Sequence, residues 1–363
     1  MAELAVSAND NKAILVDGAT RVVADPPPDT LTVLDLAASP PRIVAEIPVP
    51  ASVVGPPLSV ALTPDQSLAL VTAAQKVDPA DPTRQTADNR VSVVDLRATP
   101  PRVIATLEAG KSPAGLSINR QGTLALVANR EEGTVSVFTI RGQTVTPAGI
   151  VAIAGARSGV SHVAFTPDGK MALVTRDGDD RISVLSIDGA RVDYTGRDMY
   201  AGIRPYGIDV AGHGAFAAVA NIGRGFGDHD TISLIDLRAR PPRVVETVTV
   251  GPTPEGIKVS PDGSIVAVAI MNGSNHAKAS PFYHDHGKLL LYRVSGTSLV
   301  KVAEAPIGHW SQGVAFSADG RTILVGNMVE RDVQVFAWDG GSLRETARIR
   351  VNGGSAALRT AET

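Results

Sequence analysis

The chain has 363 residues, 44% of them hydrophobic, with a formal charge of −3, 35 glycines, 25 prolines and no cysteine. The missing cysteines exclude disulfides, thiolate metal sites and a cysteine nucleophile, and the near-neutral charge without any Lys/Arg run excludes the electrostatic footprint of a nucleic-acid or anionic-membrane partner. The glycine and proline content implies many turns rather than long helices, and no apolar stretch is long enough to span a membrane.

In chain order the same unit recurs. Near the N-terminus "AILVDGA" is expected as a second strand and "TLTVLDL" as a third, with Pro40-Pro41-Arg42 leading into a fourth. Later units open with a first strand that ends in a turn: Thr63-Pro64-Asp65, Asn119-Arg120-Gln121-Gly122, Pro167-Asp168-Gly169, Gly212-His213-Gly214, Pro261-Asp262-Gly263 and Ala318-Asp319-Gly320. Apolar second strands follow, such as "LALVTAA", "LALVANR" and "MALVTRD", and then third strands of period two, such as "RVSVVDL", "TVSVFTI" and "TISLIDL", rich in β-branched residues. Pro100-Pro101-Arg102 and Pro241-Pro242-Arg243 again lead into fourth strands. "GSAALRT" at 354–360 supplies the first strand that the N-terminal unit lacks.

Four strands per unit, repeated seven times at about fifty residues each, predict an all-β fold, a seven-bladed β-propeller of four-stranded blades closed by N- and C-terminal strands sharing one blade. The closure removes the exposed edges of an open array. The whole chain, 1–363, reads as a single domain, with blades at about 354–363 plus 1–50, 56–108, 113–152, 160–198, 205–250, 254–305 and 311–351.

Function is sought in the loops between second and third strands, which share a face with the starts of the first strands and are long at 73–90, 221–230 and 271–287. Tyr200, Tyr206, Phe226, Phe282, Tyr283 and Trp310 fall on that face, where rings could wall a ligand pocket. Aligned at their starts, the first strands read Leu58, Ala114, Ser161, Tyr206, Glu255, Gln312 and Ala356, then Ser59, Gly115, His162, Gly207, Gly256, Gly313 and Ala357. One arc of the channel mouth is therefore apolar and the other polar. An imidazole at His162 replaces the glycine of four sister blades. With a carboxylate at Asp177 it is expected to act as a general base, with Arg204 or Arg224 stabilising an oxyanion and Glu255, Tyr206, Gln312, Trp310 and Tyr283 placing the substrate. A histidine that merely caps a strand is the competing reading.

A second constellation joins His229, beside Asp228 and Asp230, to His276, His284 and His286 on adjacent long loops. Imidazole and carboxylate ligands suit a divalent transition metal; a solvated polar loop is the alternative.

The second-strand phrases resemble the repeat that names the YVTN family of seven-bladed propellers, with Leu or Ala in place of Tyr. The resemblance implies the propeller fold and, through its phosphogluconolactonase-like and carboxymuconate-cyclising members, a lactonase-like activity. Those relatives carry a Pro-Arg-His triplet in one blade and an Asn-Glu pair at the end of the following strand. Here the triplet position holds Val160-Ser161-His162 and the pair position Arg176-Asp177, so the His is kept, the acid is Asp, and the Arg is absent.

The expectation is a small-molecule enzyme working at the channel mouth: a lactonase-like hydrolase, or a related acid/base or metal-assisted lyase or isomerase, on a lactone or oxygen-rich acid. The alternative is a non-catalytic propeller binding a ligand or protein partner on the same face. A monomer or weak oligomer is expected. The compartment is open, periplasmic or secreted if an export signal has been removed and cytoplasmic otherwise.

Overall fold

The computed structural model describes residues 3–362. It forms seven antiparallel sheets of four strands, each running in order from the central channel to the rim. The first blade consists of Gly354–Thr360, Leu4–Asp10, Thr30–Asp35 and Arg42–Pro48, so the two ends of the chain share one sheet as expected. Their register runs from Ala5↔Thr360 to Asp10↔Gly354, and Ser7 and Ser355 share a hydroxyl–hydroxyl bond of 2.7 Å.

Strand composition follows position in the disc. Inner strands lie between two neighbouring blades and bury both faces, which is why Leu124–Asn129 and Ile265–Ile270 are buried throughout and read as continuous apolar runs. Fourth strands form the rim and keep only one face covered; Thr144–Ala152 is exposed at seven of its nine positions.

One element departs from the sequence reading. "AILVDGA" is not the second strand of the first blade; Leu4–Asp10 takes that place, and Ala13–Val16 pairs instead with Ala19–Val22 in a hairpin inserted before the third strand. Asp17 and Gly18, both in the left-handed region with φ 46° and 75°, reverse the chain after four residues. Two consecutive positive φ values are what a tight hairpin turn requires.

The hairpin folds over the face that carries the strand starts. Its root is pinned by Lys12, whose Nζ lies 2.7 Å from Asp29 and 3.3 Å from Asp10 and also donates to the Ala51 carbonyl. Leu15 packs on a cluster of Ala13, Met271, Trp310, Met328 and Ala356. At the tip, a Cβ on Gly18 would collide with the backbone of Ala277, in a loop of the sixth blade. Gly18→Ala is therefore expected to strain the turn and lift the tip, costing about 1–3 kcal/mol locally. Faster proteolysis within 13–22, with little change in global unfolding, is the measurement that checks it.

Candidate active site at the channel mouth

The inner strands carry a repeated bulge. Register slips between Pro113 and Leu116, Val160 and His162, Pro205 and Ile208, Pro254 and Gly256, and Ser311 and Val314. A bulge frees one residue from the ladder and re-aims its side chain. The residues so released are the aligned set Ala114, Ser161, Tyr206, Glu255 and Gln312. The following glycine is dictated by close approach: a Cβ on Gly313 would lie 2.7 Å from Leu358 N, and one on Gly207 3.2 Å from the Glu255 carbonyl.

Three blades converge on one carboxylate at this mouth. Asp177 follows the strand Met171–Arg176, and its Oδ1 lies 2.7 Å from Arg130 Nη1 and accepts the Ser161 hydroxyl at 2.6 Å. Its Oδ2 accepts Arg130 Nη2 and Arg204 Nη2, both at 2.8 Å. Arg130 Nη1 also donates to Ser161 Oγ at 2.5 Å, and its guanidinium sits 5.7 Å from the centre of the Tyr206 ring. The Asp177 side chain is only 2% exposed, whereas those of Arg130 and Arg204 are 21% and 30% exposed, so the cations form the open edge of the cluster.

Burial pushes Asp177 up, but the charge of Arg130 and hydrogen bonds from Arg130, Ser161 and Arg204 outweigh it and hold the carboxyl below its ordinary range. Glu255 beside them behaves in the opposite way. It is buried, Oε2 has no hydrogen-bond partner among the described residues, and desolvation pushes its pKa up to about 8 against the pull of Arg204. The charge of Asp177 adds to the rise and Arg130 opposes it. Burial likewise raises the Tyr206 hydroxyl, keeping it a neutral donor. Two acids in one mouth, one held ionised and one held protonated near neutrality, is the arrangement that separates acid/base from charge-holding roles.

The expected His162–Asp177 pair does not form. The bulge sends Ser161 to Asp177, while the buried His162 ring faces the Leu116 backbone and has Arg359, Lys258 and Glu362 as its charged neighbours. Burial, then Arg359, lowers its pKa well below the usual value, so it is neutral. Gly115 makes room for it: a Cβ there would lie 2.5 Å from His162 Cδ2. Arg224 is also displaced from the mouth. It pairs with Asp180 at 3.0 Å, and Asp180 in turn accepts the backbone N–H of Arg204 at 2.8 Å, so Arg224 braces the Arg204 turn from outside.

Gln312 is buried at the mouth, and Trp310 packs under the hairpin rather than lining open space. Tyr283 donates to Asp285 at 2.8 Å in the exposed loop before Gly287, where Asp285 lies 3.5 Å from His309 Nε2 and Glu330 lies 2.6 Å from His309 Nδ1. The expected metal set of His229, His276, His284 and His286 is not assembled; among the described residues no three His, Asp or Glu side chains come together as a metal centre. Successive turns at Ser274, His276, Ser280 and Tyr283 wind that loop, and His276 packs against Phe282 at 6.4 Å instead of sharing a strand face with His284 and His286.

Arg130 was not singled out from the sequence, although a signal existed. Eight residues beyond the turn glycines Gly122, Gly169, Gly214, Gly263 and Gly320 the chain reads Arg130, Asp177, Ile222, Met271 and Met328. Of these five positions only Arg130 and Asp177, in adjacent blades, are charged.

Residues 82–201 match the family model described as lactonase, 7-bladed beta-propeller, a span that includes Arg130, Ser161, His162 and Asp177. No curated protein matches the chain. Among solved structures, a candidate 6-phosphogluconolactonase from Bacteroides fragilis is 16% identical with a TM-score of 0.74, over 99% of this chain and 98% of the other. The periplasmic gluconolactonase of Pseudomonas aeruginosa is 18% identical with a TM-score of 0.68, covering 99% of both chains. Hydrazine synthase of Kuenenia stuttgartiensis, 18% identical with a TM-score of 0.66 over 86% of this chain and 91% of that one, has the same fold, so the fold alone does not choose a chemistry. Its blades, its closure and the matched segment make the chain a seven-bladed β-propeller resembling the lactonase-type family.

Proposed function

We propose that the chain is a lactonase-like hydrolase that opens the ring of a sugar-acid lactone at the mouth formed by Arg130, Asp177, Arg204, Tyr206 and Glu255. The observation that carries this is Glu255: a buried carboxyl with an unpartnered oxygen, its pKa raised to about 8, beside two guanidiniums that a single carboxylate holds in place. The family match over 82–201 supports the substrate class.

The ionised fraction of Glu255 takes a proton from water as the water oxygen bonds to the lactone carbonyl carbon. Arg130 and Arg204 face the negative charge that develops on the carbonyl oxygen. As the ring C–O bond breaks, Glu255 returns the proton to the departing oxygen, and the product is the open hydroxy acid. Tyr206 and Gln312 offer neutral donors to the substrate hydroxyls. Asp177, saturated by its own donors, is a positioning residue that fixes the two cations. The guanidinium missing from the triplet position is thus replaced by Arg130, reaching in from the neighbouring blade to Ser161.

The test is proton release from gluconolactone and 6-phosphogluconolactone at constant pH, corrected for spontaneous opening. Saturable acceleration by the wild type that Glu255→Gln removes is the expected result. Absence of acceleration at micromolar enzyme, or an unaffected Glu255→Gln variant, overturns the reading. Calorimetric binding without turnover would make the same mouth a ligand-binding site.

A further inference from the structure

The channel has a second polar end. Leu58, entering from the second blade, reaches across the ring: a Cβ on Gly207 of the fifth blade would lie 3.6 Å from Leu58 Cδ1. Below this apolar crossing, on the face that carries the Asp-Gly turns, Lys258 Nζ lies 3.1 Å from Asp209 and 2.5 Å from Glu362, and Arg359 Nη2 lies 2.6 Å from Glu362. None of these groups touches the Arg130–Asp177–Arg204 cluster.

The end is under-satisfied. Arg359 is 2% exposed, yet its Nε and Nη1 meet no acceptor among the described residues. Buried guanidinium donors without acceptors are rare because their desolvation is not repaid. Arg120, whose Nη1 donates to the Gly212 carbonyl at 2.9 Å, adds a third cation at the lip. Against these stand three acids, Asp209, Glu362 and, at the lip, Glu3. Burial pushes Glu362 up, but Lys258 and Arg359 outweigh it and hold it at about 2, whereas burial raises Asp209. What sets the site apart is the pair of unengaged Arg359 donors rather than its net charge.

Space adjoins these donors. A cleft of about 80 Å³ is lined by Arg120, Asp209, Lys258 and Glu362, and an adjoining pocket of about 30 Å³ brings in His162 and Arg359. That is room for a few waters, and so for one small ion.

We propose that this lower mouth is a second ligand site, taking a compact oxyanion, a phosphate or a small carboxylate, held by Arg359, Lys258 and Arg120. The Glu362 carboxylate is its internal occupant, engaging Nη2 of Arg359 and leaving Nε and Nη1 for the ligand. Buried charged donors without an acceptor suit an oxyanion. This site stands apart from the lactonase reading and survives the failure of that reading.

The experiment is titration calorimetry of the full chain with inorganic phosphate, and separately with malonate, at constant ionic strength. Saturable 1:1 binding of one of them is expected, and which one binds identifies phosphate or carboxylate as the preferred chemistry. Glu362→Gln should tighten binding about tenfold by removing the competing carboxylate, and Arg359→Gln should weaken it about tenfold or more, the effect of one charge-assisted pair. Should Arg359→Gln fail to fold, Arg120→Gln on the partly exposed turn serves as the second variant and should weaken binding several-fold. No saturable binding by wild type or Glu362→Gln overturns the proposal. Binding that survives both arginine variants and is lost in Arg204→Gln overturns it equally, because it places the ion at the upper mouth.

Discussion

Glu255→Gln is expected to lower kcat for lactone opening by about 10²- to 10⁴-fold, the range for loss of a positioned general acid/base. Gln keeps the shape of the side chain and removes only its proton chemistry. In the wild type kcat/KM should climb with pH and level off near 8, where burial has placed the Glu255 carboxyl. In the variant that limb should vanish, and stopped-flow or constant-pH proton release across pH 5–9 measures both.

Stability should move in the other direction. Below about 4.5, the ordinary value for Glu, the folded and unfolded chains both hold this proton. Between there and about 8 the unfolded chain has released it and the folded chain has not, so stability falls as pH rises; above about 8 the loss is complete. The Gln variant has no such loss and should be more stable than wild type at pH 9 by an amount on the order of a few kcal/mol. A residue that slows turnover when replaced, and destabilises the fold while present in its charged form, is kept for chemistry rather than for packing. A variant less stable than wild type at pH 9 would assign Glu255 a structural role.

The fold was legible because its signals are periodic and local. Turn glycines, alternating third strands and the match of 354–360 to a missing first strand each follow from short-range backbone chemistry repeated around the disc. The hairpin at 13–22 escaped because an apolar run before Asp-Gly reads equally as a blade strand or as one arm of a two-stranded lid. For the site, aligning the strand starts placed Tyr206, Glu255 and Gln312 at one mouth, since each occupies the same bulge. The same alignment failed for His162, because a bulge decides which of two adjacent residues turns toward the mouth, and here it is Ser161. Arg130 was missed because ion pairs between blades leave no trace in the pattern of a single blade, and Lys258, Arg359 and Glu362 because they meet only when the ring closes.

Asp177→Asn should show how far the upper mouth depends on one charge. The substitution keeps the side-chain outline but sets an amide N–H₂ against donors already aimed at the carboxylate from Arg130, Ser161 and Arg204. Removing one partner of a buried ion pair costs about 3–5 kcal/mol, because the cation left behind is still desolvated. The guanidiniums here keep 21% and 30% of their side-chain surface exposed and can turn outward to water, so the lower end of that range, about 3 kcal/mol, is expected in urea unfolding. Outward rotation carries the cations away from the developing oxyanion, and kcat/KM should fall by about 10²- to 10³-fold. Arg130→Gln in the same background separates the two effects. If Asp177 acts by holding Arg130, the double variant should lose less stability than the sum of the singles, while activity stays at the level of the worse single. Strict additivity in both would mean that Asp177 and Arg130 contribute independently, and that the carboxylate meets the substrate itself.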